Sequence, residues 1–253
     1  MSAESHEKHS PLDQFEISKI FDLKIGIFDI SFTNSSLYMA LSTICIIVFM
    51  IFSTRKKSLV PSRLQVIAES IYNFILNMVK TSIGNEGNKF FPLIFSLFIF
   101  ILLCNVLGMT PYSFTVTSHL IVTFALAMVA FLTITIFAIV RNGFGGFFHM
   151  FLPSGVPKLM APLIFLIEFF SFLIKPITLS VRLFANIVAG HVLLKVVAGF
   201  IVSLGAISFG IAGVLPMIFA IIMTGFELFV AVLQSYIFAV LVCAYLGETT
   251  KQH

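Results

Sequence analysis

The sequence predicts an all-α integral membrane protein with about five hydrophobic helices and one interfacial amphipathic helix. The last two hydrophobic helices are long, strongly tilted and paired as a hairpin. Three observations carry this reading. The 253 residues are 59% hydrophobic and only 10% charged, against about 25% charged in a soluble domain. Several apolar runs reach the ~20 residues that cross a bilayer as a helix. The final two runs, residues 161–201 and 212–246, would measure about 60 and 50 Å as single helices, well beyond a hydrocarbon layer of about 30 Å.

Residues 1–36 are polar and mixed in charge, and all three aspartates (Asp13, Asp22, Asp29) lie there. The segment lacks the basic start and short apolar core of a signal peptide. It is expected to be an extramembrane arm, followed by one polytopic membrane domain over residues 37–253. The first apolar run, 37–52, ends in Arg55, Lys56 and Lys57, with Arg63 beyond. The positive-inside rule puts that end on the cytoplasmic or matrix side and the N-terminus outside.

Residues 62–80 are too polar to span. Leu64, Ile67, Ile71, Phe74, Ile75 and Met78 recur at helical spacing between Glu69, Asn73 and Asn77, so an amphipathic helix on the inner membrane surface is expected. Residues 84–89 (GNEGNK) read as a turn. Spans over 90–109 and 118–140 follow, joined by TPYSFTVT, which carries no Lys or Arg and is expected outside. Arg141 returns the chain to the inside, and the Gly- and Pro-rich residues 142–160 read as an inner loop. A small-residue stretch, 203–213, separates the two long runs. Pro176 is the obvious place for the first of them to kink, because it removes a backbone donor. The tail, 247–253, is expected inside.

The chemistry lies in the long runs. Glu168, Lys175 and Arg182 are seven residues apart, which sets them on one slowly drifting helical stripe. Thr178 and Asn186 lie four residues either side of Arg182 and join it. His191, nine residues after Arg182, falls half a turn out of phase, on the opposite face. In the last run Glu227 and Gln234 are again seven apart, and Glu227 has no cation within its own helix. Asn105 is a further polar group in apolar surroundings. Ionisable groups inside a bilayer cost several kcal/mol each, so their concentration here points to use. A His and a Glu on facing helices can pass protons near neutral pH, because burial and mutual attraction tune both. An arginine cannot give up its proton, so it blocks protons while holding a passing carboxylate ionised. The plainer reading of Arg182 is a structural ion pair with Glu168 or Glu227.

Other classes find no support in the residues. Cys45, Cys104 and Cys243 lie in apolar stretches without metal or disulfide spacing. No phosphate-binding glycine loop, metal cluster or nucleophile triad is present, and no cofactor, nucleotide or nucleic acid is expected. A stand-alone proton-coupled secondary transporter also places ionisable groups at mid-membrane, but the chain shows no internal repeat.

Three segments, SVRLFANIVAGHVLL (180–194), EFFSFLIKPITLSVRL (168–183) and GFELFVAVLQSYIFAVL (225–241), resemble subunit a of the F-type ATP synthase. NVLGMTPYSF (105–114) and SPLDQFEI (10–17) are similar to its mitochondrial and alphaproteobacterial branch. The resemblance implies a proton-translocating stator subunit, not an enzyme by itself, that serves a ring of c subunits and couples proton flow to rotation. Peripheral-stalk b-type subunits, other ATP synthase subunits and membrane lipids are the implied partners. By the same resemblance Arg182 faces the ring carboxylate. His191, Glu227, Asn105 and Gln234 line a proton inlet; Asn186 lies near the arginine, Glu168 near the outlet, and Lys175 modulates the outlet or is structural. The location implied is a bacterial or mitochondrial inner membrane, with the C-terminus inside.

Overall fold

In the computed structural model the described residues form six α-helices in the order α1 Asn34–Thr54, α2 Arg63–Ile83, α3 Phe91–Gly108, α4 Leu120–His149, α5 Ala161–Ile207 and α6 Val214–Thr250. The structure describes residues 19–21, 24–25, 28–29, 31–55, 61–110, 114–149, 151–152, 157, 159–207 and 211–250. The expected arm over 1–18, the basic Lys56 and Lys57, residues 111–113 of the outer connection and the tail end 251–253 lie outside them. Five helices, all but α2, are long and apolar enough to cross a membrane, as the composition requires.

Four departures from the sequence reading have physical causes. The arm holds two short antiparallel pairings, Lys19–Phe21 with Phe32–Thr33 and Lys24–Ile25 with Phe28–Asp29. Pairings this short carry too few residues for a period-two pattern to be legible in the sequence. Helix α4 does not stop at residue 140. It runs on to His149 through a kink at Gly143, where φ is +69°; only glycine enters that region at little cost, so the chain turns there and resumes its helix. Helix α5 continues for 47 residues with Pro176 inside it, a length of about 70 Å at 1.5 Å per residue. Pro176 therefore does not break it. Helix α6, 37 residues long, extends past the expected end at residue 246.

The helix starts follow local chemistry. Thr33 caps α1 by accepting from the Ser36 amide at 3.4 Å, and Ser62 caps α2 by accepting from the Gln65 amide at 3.3 Å, each satisfying an otherwise orphaned donor. Gly84, with φ +84°, ends α2 and opens the short turn Asn85–Lys89. Arg141 near the kink of α4 is paired with Glu86 in that turn, which ties the far end of α4 to the start of α3.

The main core is built by α2, α3, α4 and α6 around Ile75, Val79, Ile94, Ile101, Phe238 and Leu246, with Leu179 and Leu183 contributed by α5. Helix α2 thus splits its apolar residues. Ile75, Val79 and Ile83 are buried against the protein, while Leu64, Ile67 and Phe74 stay exposed. Small residues on α4 (Ala127, Ala130, Ala138) are buried, and they let α5 approach closely, the usual solution where lipid gives no hydrophobic drive between helices. A second cluster closes one end of that pair: Phe151 meets Phe165, Phe169 and Phe172 edge-on, with ring centroids at 5.9, 5.6 and 5.4 Å. Helix α5 packs on α6 and α4, yet only 11% of its most apolar window is buried. Most of its surface is left for lipid or another protein.

Candidate proton path between α3, α5 and α6

His191 on α5 and Glu227 on α6 meet side by side. The imidazole Nδ1 lies 2.5 Å from Glu227 Oε1. The other ring nitrogen, Nε2, is 3.0 Å from the Gly108 carbonyl oxygen and 2.9 Å from the Thr115 hydroxyl. A carbonyl only accepts, so Nε2 carries a proton and donates it. Thr115 in turn donates to the same carbonyl at 3.1 Å, leaving its oxygen lone pairs to accept from Nε2–H. With Nε2–H fixed in this way, one proton remains between Nδ1 and Oε1. The pair is either imidazolium with carboxylate or neutral imidazole with carboxylic acid, and both forms are neutral overall. Net neutrality is what makes the pair tolerable in a low-permittivity site. Moving that proton across the contact exchanges one form for the other.

The pair fits because position 190 has no side chain. A Cβ on Gly190 would stand 2.6 Å from Glu227 Oε1 and 2.9 Å from its carboxyl carbon. The glycine therefore clears the space that the glutamate occupies. Glu227 is 6% exposed, and its second oxygen, Oε2, is buried with no protein partner among the described residues. That oxygen is free to take a proton or a water.

Two further contacts extend the polar line. Asn105 on α3 donates through Nδ2 to the Ala231 carbonyl of α6 at 3.2 Å and accepts through Oδ1 from the Thr117 hydroxyl at 2.8 Å. Asn186 on α5 donates to Gln234 Oε1 on α6 at 3.0 Å, and Gln234 Nε2 is buried without a protein partner among the described residues. Asn105 and Gln234 are both buried, at 0% and 1% exposure. Nearby, Thr123 of α4 and Ser180 of α5 share a hydrogen bond at 3.1 Å. Buried polar groups lie in a band across the interface of α3, α5 and α6.

A family model described as ATP synthase A chain matches residues 36–247. The chain belongs to the ATP synthase A chain family. It is 51% identical to the ATP synthase subunit a of Rhizobium leguminosarum bv. trifolii (strain WSM2304), over 95% of this chain and 96% of that protein. It is 50% identical to the ATP synthase subunit a of Rhizobium rhizogenes (strain K84 / ATCC BAA-868), with the same coverage.

In this member of the ATP synthase A chain family, Arg182 takes no part in an ion pair or hydrogen bond among the described residues, and it is exposed. The ion pair with Glu168 or Glu227 that the sequence left open is therefore not made: Glu227 is engaged by His191, and Glu168 is itself exposed. Ile174, Ile177 and Val181, which precede Arg182 on α5, are exposed apolar residues. Glu168 and Thr178 are exposed on α5 like Arg182, and Lys175 is half-buried. Asn186 departs from the stripe reading in one respect: although exposed, its amide turns to Gln234 rather than to Arg182. Lys175 lies over the rings of Tyr245, at 4.2 Å from the centroid, and Phe172, at 5.8 Å.

The sequence reading missed Thr115, Thr117, Gly108 and Gly190 as parts of this site. Thr115 and Thr117 belong to an uncharged connection that folds back as a buried turn, Val116–Ser118. Their signal was two hydroxyls beside a span containing Asn105. A glycine directly before an intramembrane histidine was the signal for Gly190, and it needed the position of Glu227 to be understood.

Proposed function

We propose that this chain is the proton-conducting stator of an ATP synthase, bringing protons to and from the carboxyls of a rotating c-subunit ring. The observation that carries the reading is Arg182: an obligate cation on an exposed, largely apolar helix surface, without a counter-charge among the described residues. A charge so placed is costly in lipid. A carboxylate arriving on another chain supplies the missing partner.

Protons enter from the outer side along Asn105, His191, Glu227 and Gln234. The one shared proton of the His191–Glu227 contact makes that pair a relay: with Nε2 keeping its proton, Glu227 Oε2 takes one up while the shared proton shifts to Nδ1, and the carboxyl then gives one up again. The released proton neutralises a ring carboxylate that has just left Arg182, and the neutral acid can then enter lipid at low cost. After nearly a full turn the acid loses its proton towards the inside along the Glu168 and Lys175 surface, and Arg182 draws in the carboxylate. Each proton delivers about 2.3 kcal/mol per 100 mV of membrane potential. Because Arg182 never deprotonates, it separates the two paths. The chain itself makes no ATP. Peripheral-stalk b-type subunits hold it against the torque. The N-terminus lies outside and the C-terminus inside, a reading supported by Arg55, Arg63 and Arg141 at one end of the spans and by the charge-free Thr115–Ser118 connection at the other.

The test is Arg182→Ala in the assembled complex reconstituted into vesicles. Coupled ATP synthesis is lost while passive proton leak through the membrane sector persists. Normal ATP-driven proton pumping by that variant would overturn the proposal.

A further inference from the structure

A groove of about 630 Å³ runs along α5 beside the end of α6, lined by Leu166, Phe170, Ser171, Lys175, Thr178 and Tyr245 among others. Lys175 is its cation. The ammonium sits 4.2 Å from the centroid of the Tyr245 ring and 5.8 Å from that of Phe172, both within the ~6 Å at which a ring face attracts a cation. Tyr245 comes from α6 and Phe172 from the buried face of α5, so the two helices clamp one flexible side chain. A four-carbon stem otherwise leaves the charge many positions to choose from.

We infer that Tyr245 is a positioning residue for proton release: it holds the Lys175 ammonium over its ring so that the charge stands in the groove through which ring carboxyls discharge. The inference rests on the proposed assignment of the Glu168 and Lys175 surface to the outlet. A ring face binds an ammonium without carrying net charge, so this contact does not itself cancel the charge. A nearby positive charge favours the ionised form of a carboxyl and so promotes loss of its proton. The other charged side chains described around the groove are few. Glu168 and Arg182 lie seven residues either side on α5. From α4 comes Arg141, which is engaged with Glu86 and stacks on Phe137. Among the described side chains of α6 that line the groove, Tyr245 is the titratable one. Against the fixed Glu168 and Arg182, the placement of Lys175 is the variable that a neighbouring ring can set.

The experiment uses the complete ATP synthase in proteoliposomes, with outer pH and a potassium diffusion potential held constant and inner pH varied. Without a positioned cation, the rotor carboxyl binds its proton more tightly at the outlet, so a higher inner pH is needed to remove it. Lys175→Met is therefore expected to move the inner-pH profile of ATP synthesis upward by about one pH unit, the scale of a unit charge about 10 Å away at intermediate permittivity. Tyr245→Leu is expected to move it in the same direction, Tyr245→Phe to leave it in place, and Tyr245→Leu with Lys175→Met to add nothing to Lys175→Met alone. If Tyr245→Leu does not assemble, Tyr245→Met takes its place with the same expectation. A profile shifted by Lys175→Met but unmoved by the loss of the Tyr245 ring overturns the inference and leaves the outlet assignment standing. A profile unmoved by Lys175→Met overturns the outlet assignment of Lys175, and the inference with it. A uniform loss of rate at every pH in Tyr245→Leu, without a shift, reduces Tyr245 to a packing role and also overturns the inference.

Discussion

The Thr115 hydroxyl stands 2.9 Å from His191 Nε2 while donating to the Gly108 carbonyl that the same nitrogen faces. The Gly108 carbonyl at the end of α3 thus fixes which ring nitrogen of a membrane histidine keeps its proton, and the Thr115 hydroxyl supports it as a second acceptor. Thr115→Val removes this oxygen and leaves Gly108 as the remaining acceptor. ATP synthesis by energised membranes is expected to fall about five-fold, the scale of one hydrogen bond of ~1 kcal/mol, and Thr115→Ser is expected to retain the parental rate. Equal losses in both variants would point to packing of the threonine methyl instead.

Gly190 and Glu227 are fitted to each other. Because a Cβ on residue 190 would press to 2.6 Å of the carboxylate, Gly190→Ala must push Glu227 off its contact with His191. A loss of about ten-fold or more in coupled proton transport is expected, since misplacement by about 1 Å can cost a hundred-fold in a positioned site. Glu227→Asp draws the carboxyl back by one methylene. Combined with Gly190→Ala it is expected to recover part of the activity, as read by ATP-driven quenching of a pH-sensitive dye. Failure of every shortened side chain to rescue would show that the glycine serves the backbone rather than the carboxylate.

The His191–Glu227 contact holds one proton whichever residue stands on which helix. The exchanged double variant, His191→Glu with Glu227→His, is therefore expected to conduct better than either single substitution, each of which leaves two like groups facing one another. Proton uptake by stripped membranes checks this. A double variant no better than the worse single one would mean that the order of the pair matters.

Phe151 is 2% exposed and meets three phenylalanines of α5 edge-on. Phe151→Ala is expected to destabilise the α4–α5 end by about 3–5 kcal/mol, the range for deleting a buried aromatic ring. Thermal inactivation of the complex in detergent should show a lowered midpoint, and Phe151→Leu should lower it less. An unchanged midpoint for Phe151→Ala would mean that the cluster closes over the missing ring.

Composition and run length were enough to read five spans and one helix that does not cross, because burying backbone in lipid leaves few alternatives to long helices. The spacing of Glu168, Lys175 and Arg182 along one helix, with His191 half a turn away, followed from 3.6 residues per turn alone. The order of partners was beyond the sequence. Glu227 is 36 residues from His191 and Asn105 is 126 from Ala231, separations at which no local periodicity relates one side chain to another. Only the packing of α3, α5 and α6 chose His191 over Arg182 for Glu227, turned Asn186 towards Gln234, and set Tyr245 over Lys175. The kink at Gly143 and the unbroken passage through Pro176 were tertiary outcomes too. A glycine permits a turn and a proline disfavours a helix, but neighbouring helices decide whether either tendency prevails.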